Sequence, residues 1–236
     1  MRRVKPLFQP MALAILERDN VIMSGISTNG KRLFIARHGE TIFNLAGRIQ
    51  GEHVHTPLTR SGFAQADAMG RALALHLAPD TPALDLIASD TDRALQTLSV
   101  VAEHVGADWH QAHSDARLRE IDMGEWGGVM YHDLDGKLEI DHEERLFVTV
   151  APGGEDYRDI EKRLKHWLDE QNFTRDAVLI SHGMTSRVLR GLLVGADAHP
   201  RFGAPIAEGL PQGSIVQICD GREDVIHVGG GEGEKA

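Results

Sequence analysis

Three short apolar runs constrain this chain most: Leu33-Phe34-Ile35-Ala36, Leu84-Asp85-Leu86-Ile87-Ala88 and Ala177-Val178-Leu179-Ile180. Each has the length of a strand and little alternation, the pattern of strands covered on both faces. Segments of helical periodicity separate them. Thr59 can cap a helix in which Phe63, Ala66, Met69, Gly70, Leu73 and Leu77 fall on one face, stopped by Pro79 and Pro82. Asp90-Thr91-Asp92 opens another helix, with Ala94, Leu95, Leu98, Val101 and Val105 inward and Gly106 as its end. Tyr157 to Trp167 and Thr185 to Leu193 are helical in pattern, and Ile215–Ile218 and Val225–Val228 read as the last strands. Strands alternating with helices predict an α/β fold, a three-layer α/β/α sandwich around a mostly parallel sheet. The irregular stretch 121–152, rich in glycine, acids and histidine, is expected to form a small helical or loop cap.

The chain has 236 residues, enough for one domain with a substantial core. The predicted domain spans 31–228, between a poorly ordered extension over 1–30 and a disordered glycine-rich tail over 229–236. Met1-Arg2-Arg3-Val4-Lys5 followed by Met11 to Leu16 weakly resembles a signal peptide, but the apolar part is short and Glu17-Arg18-Asp19-Asn20 replaces a cleavage site. No apolar stretch is long enough to span a membrane. With a net charge of -10 and no long basic run, nucleic-acid binding is not expected. The single cysteine, Cys219, reads as a strand residue, consistent with a reducing, cytoplasmic setting. A monomer or a homodimer is equally compatible with the sequence.

In open α/β sheets, ligands bind beyond the carboxyl ends of the strands. There the three runs break into Arg37-His38-Gly39-Glu40-Thr41, Ser89 to Arg93, and Ser181-His182-Gly183. A neutral imidazole is a nucleophile, an arginine binds phosphate as a planar fork, and a glycine lets the backbone pass close to a ligand. Arg37 alone would read as a surface ion-pair former, and His182 as a cap for the helix after it. Two histidines and two arginines delivered to one rim are hard to explain as packing. Arg93 in a first helical turn opposes the helix dipole, which hints at a bound anion. His53 and His55 have the spacing of a metal pair but lack a third ligand, so no metal is expected and they read as loop residues. His132, His142, Asp133, Asp135, Asp141, Glu143 and Glu144 read as solvated cap residues.

These segments resemble, in order and spacing, the histidine phosphatase superfamily, the phosphoglycerate-mutase-like clan. Arg37-His38-Gly39-Glu40-Thr41 is similar to its signature, and Asn44, Arg48 and Gln50-Gly51 to the segment after it. Pro57-Leu58-Thr59 through Gly62, Gln65 and Ala66 resemble the next block, and Ser89 with Arg93-Ala94 and Gln96-Thr97 the second arginine motif. Leu118-Arg119-Glu120 with Gly124-Glu125-Trp126, then Pro152-Gly153-Gly154-Glu155 and Ser181-His182-Gly183, complete the set. Two positions depart from the pattern: Trp126-Gly127-Gly128 stands where Trp-Glu-Gly is usual, and Asp90 where a second serine is usual.

The resemblance implies a phosphohistidine intermediate on His38, with Glu120 as general acid and base. Arg37, Arg93 and a protonated His182 would neutralise the phosphate without metal or cofactor. The same cations would depress the His38 pKa and keep it nucleophilic. Asn44, Arg48, Gln50, Gly51 and Gly183 are candidate phosphate-binding residues, and helix N-termini would add N–H donors. The fit is closest to small bacterial phosphatases of the broad-specificity and α-ribazole-phosphatase types. The predicted partner is a small phosphorylated metabolite. Phosphoglycerate mutases carry a long insertion between the donor Glu and the second His, whereas Glu120 and His182 lie 62 positions apart. A short cap admits water and favours hydrolysis. The alternatives are a phosphomutase and a catalytically silent phospholigand-binding module.

Overall fold

The structure is a computed structural model that describes residues 25–79 and 82–231. Its centre is a six-stranded sheet built from β1 (Leu33–Arg37), β2 (Leu84–Ala88), β3 (His113–Ser114), β6 (Asp176–Ser181), β7 (Ile215–Cys219) and β8 (Arg222–His227). The order is β3-β2-β6-β1-β7-β8. The pairs β2–β3, β2–β6 and β1–β6 are parallel, and β1–β7 and β7–β8 are antiparallel. The mostly parallel sheet of the sequence reading is therefore present, with an antiparallel edge.

Alternation along β1 sorts the core into two layers. Phe34 and Ala36 join the cluster under α2 (Arg60–Leu77) and α3 (Asp92–Val105). Leu33 and Ile35 join the cluster under α4 (Tyr157–Asp169) and α5 (Gly183–Val194). Both faces being covered is why these strands read as unbroken apolar runs. Thr59 caps α2, its side chain accepting from the Gly62 N–H, and α3 ends at Gly106 in the left-handed conformation at φ 64°.

Several expectations are corrected. Phe63 is 43% exposed, and Gly62 takes the inward position instead, because the first turn of α2 packs backbone to backbone on the loop after β1. A Cβ on Gly39 would lie 2.3 Å from the Gly62 carbonyl oxygen. Gly39 is thus required by the approach of α2. The expected helical or loop cap takes its loop form, and residues 119–156 hold no α-helix. They form short 3-10 turns and one strand pair, β4 (Ile140–Asp141) with β5 (Leu146–Phe147). Of the expected N-terminal extension, residues 25–30 pack on the domain: Ile26 N–H donates to Leu192 O, and the N–H groups of Thr28 and Gly30 donate to Asp220. Of the expected tail, Gly229 N–H donates to Ser214 Oγ at 2.8 Å. Residues 1–24 and 232–236 of these segments lie outside the described residues. A five-residue helix, α1 (Ile42–Ala46), is too short to show a periodic signal in the sequence.

Candidate active site

Strand register brings the two histidines together. Arg37 on β1 is opposite Ser181 on β6, so the residues that follow, His38 and His182, are neighbours. The His38 N–H donates to Ser181 O at 3.1 Å, and the two rings meet edge to face with centroids 5.1 Å apart. β2 ends level with them, since Ser89 N–H donates to Ile180 O, and the first turn of α3 then carries Arg93 to the same rim.

The hydrogen bonds fix both tautomers. His38 Nδ1 lies 2.7 Å from Gly39 O. A carbonyl only accepts, so Nδ1 carries the proton and Nε2 keeps the lone pair. His182 is the reverse. Its Nδ1 accepts from Arg93 Nε at 3.1 Å, so its proton is on Nε2, a buried atom with no hydrogen-bond partner among the described residues. An unpaired buried donor costs about 1–3 kcal/mol, and at a ligand site it marks the place of an acceptor.

Both imidazoles are held neutral. Burial pushes the His38 pKa well below 6.5, and Arg93 and Arg37 push it further, with the Gly39 bond acting the other way. His182 is lowered by burial first, then by Arg93 and by His38. The protonated His182 expected from sequence is corrected accordingly. It offers a neutral N–H, and the charge comes from the arginines. The consequence for stability has a definite sign. Below about pH 6.5 the unfolded chain binds a proton on each histidine and the folded chain does not, so stability falls as pH falls. The slope is up to about 1.4 kcal/mol per pH unit for each. Thermal melts between about pH 7.5 and 5 should show a steeper decline for wild type than for the His38→Gln/His182→Gln double variant. Parallel declines would contradict it.

Arg93 is fully buried, and burial lowers its pKa to about 10 against the opposing pull of Glu120, Asp92 and Asp90. Four of its five N–H groups are committed: Nε to His182, Nη1 to His53 O and Thr56 Oγ1, both at 2.6 Å, and Nη2 to Gly51 O at 3.0 Å. One Nη2–H is left to face a ligand. Among the described residues no carboxylate pairs directly with this buried cation, an arrangement that favours an arriving anion. Arg37 is 5% exposed, and its Nη1 donates to Leu210 O at 3.0 Å.

Glu120 is 7% exposed and lies on the N-terminus of α5. Oε1 accepts from the N–H groups of Ile121, Met184 and Thr185, whereas Oε2 accepts only from Met184. Two of the α5 donors, the N–H groups of Met184 and Thr185, are therefore taken by this carboxylate, and Oε2 is the oxygen with capacity to spare. The segment is clamped on every side. Ser181 Oγ donates to Leu118 O, Thr185 Oγ1 to Arg119 O, and Arg163 reaches Arg117 O, Glu120 O, Thr185 Oγ1 and both oxygens of Glu155. Glu155 also accepts from the Asp122 N–H. Sequence reasoning misses Arg163. Its partners come from three separate segments, and no local spacing announces them. Asp90 forms a two-pronged pair with Arg119 at 2.7 and 2.5 Å. A serine there could not hold the neighbour of Glu120 in this way.

His38, Arg93 and Glu120 face one narrow cavity of about 20 Å³ together with Asn44, Arg48, Gln50 and Gly51. The last four contribute structure as well. Asn44 closes a capping box with Thr41 at the start of α1, and Gln50 Oε1 lies 2.8 Å from the Thr41 hydroxyl. Gly51 gives its carbonyl to Arg93, and Arg48 donates from Nη1 to Gly128 O and lies over the Phe43 ring. Gly183 opens α5 and lines a neighbouring, larger cavity with Arg37. His53 and His55 do not form a pair: the His53 ring packs on Phe43 and over Gly127-Gly128, and the exposed His55 meets Asp92. A Cβ at Gly127 would lie 3.3 Å from His53 Nε2 and one at Gly128 3.1 Å, so both glycines leave room for that ring. No group of three or more His, Cys, Asp and Glu able to hold a metal occurs among the described residues.

The rim of the sheet thus gathers two arginines, two neutral histidines and a buried carboxylate, a set of groups that can bind an oxyanion. The family model for the histidine phosphatase superfamily (branch 1) matches residues 33–225, and the chain belongs to that superfamily. It is 30% identical over 174 residues to the "probable phosphoglycerate mutase GpmB" of Yersinia pestis (strain Pestoides F), covering 71% of this chain and 77% of that protein. Among solved structures it is similar to a mycobacterial glucosyl-3-phosphoglycerate phosphatase, at 25% identity and TM-score 0.64, over 83% of this chain and 97% of the other. A Thermus thermophilus protein matches at 28% identity and TM-score 0.51, over 79% and 92%. No helix among the described residues is long and apolar enough to cross a membrane.

Proposed function

We propose that the chain is a phosphomonoesterase that works through a phosphohistidine on His38 and passes the phosphoryl group to water. The observation that carries this reading is the complementary pair of tautomers: a buried lone pair on His38 Nε2 beside an unpartnered buried N–H on His182. One group attacks and the other receives an oxygen of the phosphate. Arg37 and the remaining Nη2–H of Arg93 balance its charge. In the first step a bond forms from His38 Nε2 to phosphorus while the ester P–O bond breaks, and Glu120 gives the leaving oxygen its proton. In the second, Glu120 takes a proton from water as the oxygen attacks phosphorus and the P–N bond breaks. His38 returns to its neutral state, with Nδ1–H on Gly39 O throughout. The arginines supply the positive charge that metal ions supply in other phosphoryl-transfer sites, so the reaction calls for no metal.

The name of the Yersinia relative favours a mutase, and that of the mycobacterial neighbour a phosphatase. The cap favours water as acceptor, because over 119–156 it consists of 3-10 turns and a strand pair of two residues each, with no helix to enclose an intermediate. Purified protein in EDTA should release inorganic phosphate from p-nitrophenyl phosphate. Activity lost with EDTA and restored by metal would contradict the metal-free reading. Interconversion of 2- and 3-phosphoglycerate faster than phosphate release would identify a mutase. Phosphate bound without any turnover would identify a binding module.

A further inference from the structure

A cavity of about 450 Å³ adjoins the phosphoryl site but does not contain its nucleophile. Two contacts join them. Arg37, the residue before His38, lines the cavity, and so does Met184, whose N–H holds both oxygens of Glu120. Given the phosphatase reading, on which this rests, we infer that the cavity holds the leaving alcohol and selects an uncharged, hydroxyl-rich alcohol of sugar size.

Size is the first ground. Pockets that enclose whole small organic ligands run from roughly 300 to 1,000 Å³, and a three-carbon unit would leave most of this one unfilled. Charge is the second. The lining carries Arg37, Arg145 and Arg187 against Glu143, Glu144 and Glu208. Once Arg37 is committed to the phosphoryl group, no excess positive charge remains for a second anion. Both donors and acceptors are present, as a polyol needs. Arg145 is exposed at the turn between β4 and β5, and its guanidinium has no carboxylate within ion-pair distance among the described residues. Arg187 is buried and donates to Ala207 O at 2.7 Å and Glu144 O at 2.8 Å, tying the cap to the loop before β7. Glu144, read from sequence as a solvated residue, is fixed here by His199 at 2.9 Å. Chemistry is the third ground. The lining contains no Phe, Tyr or Trp, and its one ring, His199, is tied to Glu144 and already packed against Phe202, which leaves a nucleobase little to stack on, while the six charged side chains disfavour an alkyl chain.

Gly209 supplies the test. A Cβ there would meet only Arg187 Nη1, at 3.9 Å, and its φ lies outside the left-handed region, so a side chain can start there beside a residue of the cavity lining. The kcat/KM values for glucose 6-phosphate, glycerol 3-phosphate, 3-phosphoglycerate and AMP are measured on the full chain and on its Gly209→Trp and Arg145→Ala variants. Wild type is expected to prefer glucose 6-phosphate by roughly tenfold or more. Gly209→Trp should lose that preference and keep its rate on glycerol 3-phosphate. Arg145→Ala, a change on the surface that folding tolerates, should lower the hexose ester alone, by a few-fold. Equal rates on hexose and glycerol esters, a preference for 3-phosphoglycerate or AMP, or variants that lower all esters alike would overturn the inference while leaving the phosphatase reading intact. Hydrolysis of none of the four, nor of p-nitrophenyl phosphate, would overturn the phosphatase reading itself.

Discussion

Replacing His38 by Gln should abolish turnover of every ester, by at least about 10⁴-fold in kcat/KM, while the protein stays folded and still binds phosphate. Glutamine has nearly the reach of histidine and can donate to Gly39 O, but it has no basic nitrogen to present to phosphorus. The positive charge of Arg37 and Arg93 remains, and so does the N–H of His182, so affinity for the anion should change little. The measurement is steady-state hydrolysis beside phosphate binding by calorimetry. A variant with a few per cent of wild-type activity would mean that water attacks phosphorus directly and His38 only binds.

Glu120→Gln should show an effect that depends on the leaving group. For an alkyl ester, kcat/KM should fall by about 10² to 10⁴, because the alkoxide leaves without a proton. For p-nitrophenyl phosphate the same constant should fall far less, since that phenolate is a good leaving group and the first irreversible step no longer needs an acid. A purely structural role for Glu120, as the carboxylate that holds the Met184 and Thr185 N–H groups, would depress both esters equally. The split between esters therefore separates proton transfer from mere positioning of α5.

The parts of this molecule that could be read in its sequence were those that burial writes into composition. β1, β2 and β6 are covered on both faces, so they appear as continuous apolar runs, and polar residues at their carboxyl ends stand out. β3, a two-residue exposed edge pair, leaves no such trace. Phe63 was misplaced because helical periodicity shows a face but not the backbone-to-backbone contact of Gly39 with Gly62 that displaces it. At the site, residue type and strand-end position point to His38, His182, Arg37 and Arg93 as candidates, and the family resemblance adds Glu120. Their protonation was not legible, since it depends on burial and on one bond from Arg93 to His182. Asn44 faces the site cavity and also closes a capping box with Thr41, a second role that its place in the motif does not announce. Arg163 could not be found at all, because the carbonyls it holds belong to a segment more than forty residues away.

The covalent step is what distinguishes this reading from every alternative. Rapid mixing of excess p-nitrophenyl phosphate with the enzyme, a quench in base where phosphohistidine survives, and peptide mass spectrometry test it most directly. The expected result is one phosphoryl group on His38, formed within the first turnover and discharged to inorganic phosphate when substrate is removed. A quenched enzyme with no phosphoryl group at steady state, and none trapped in the Glu120→Gln variant, would contradict it.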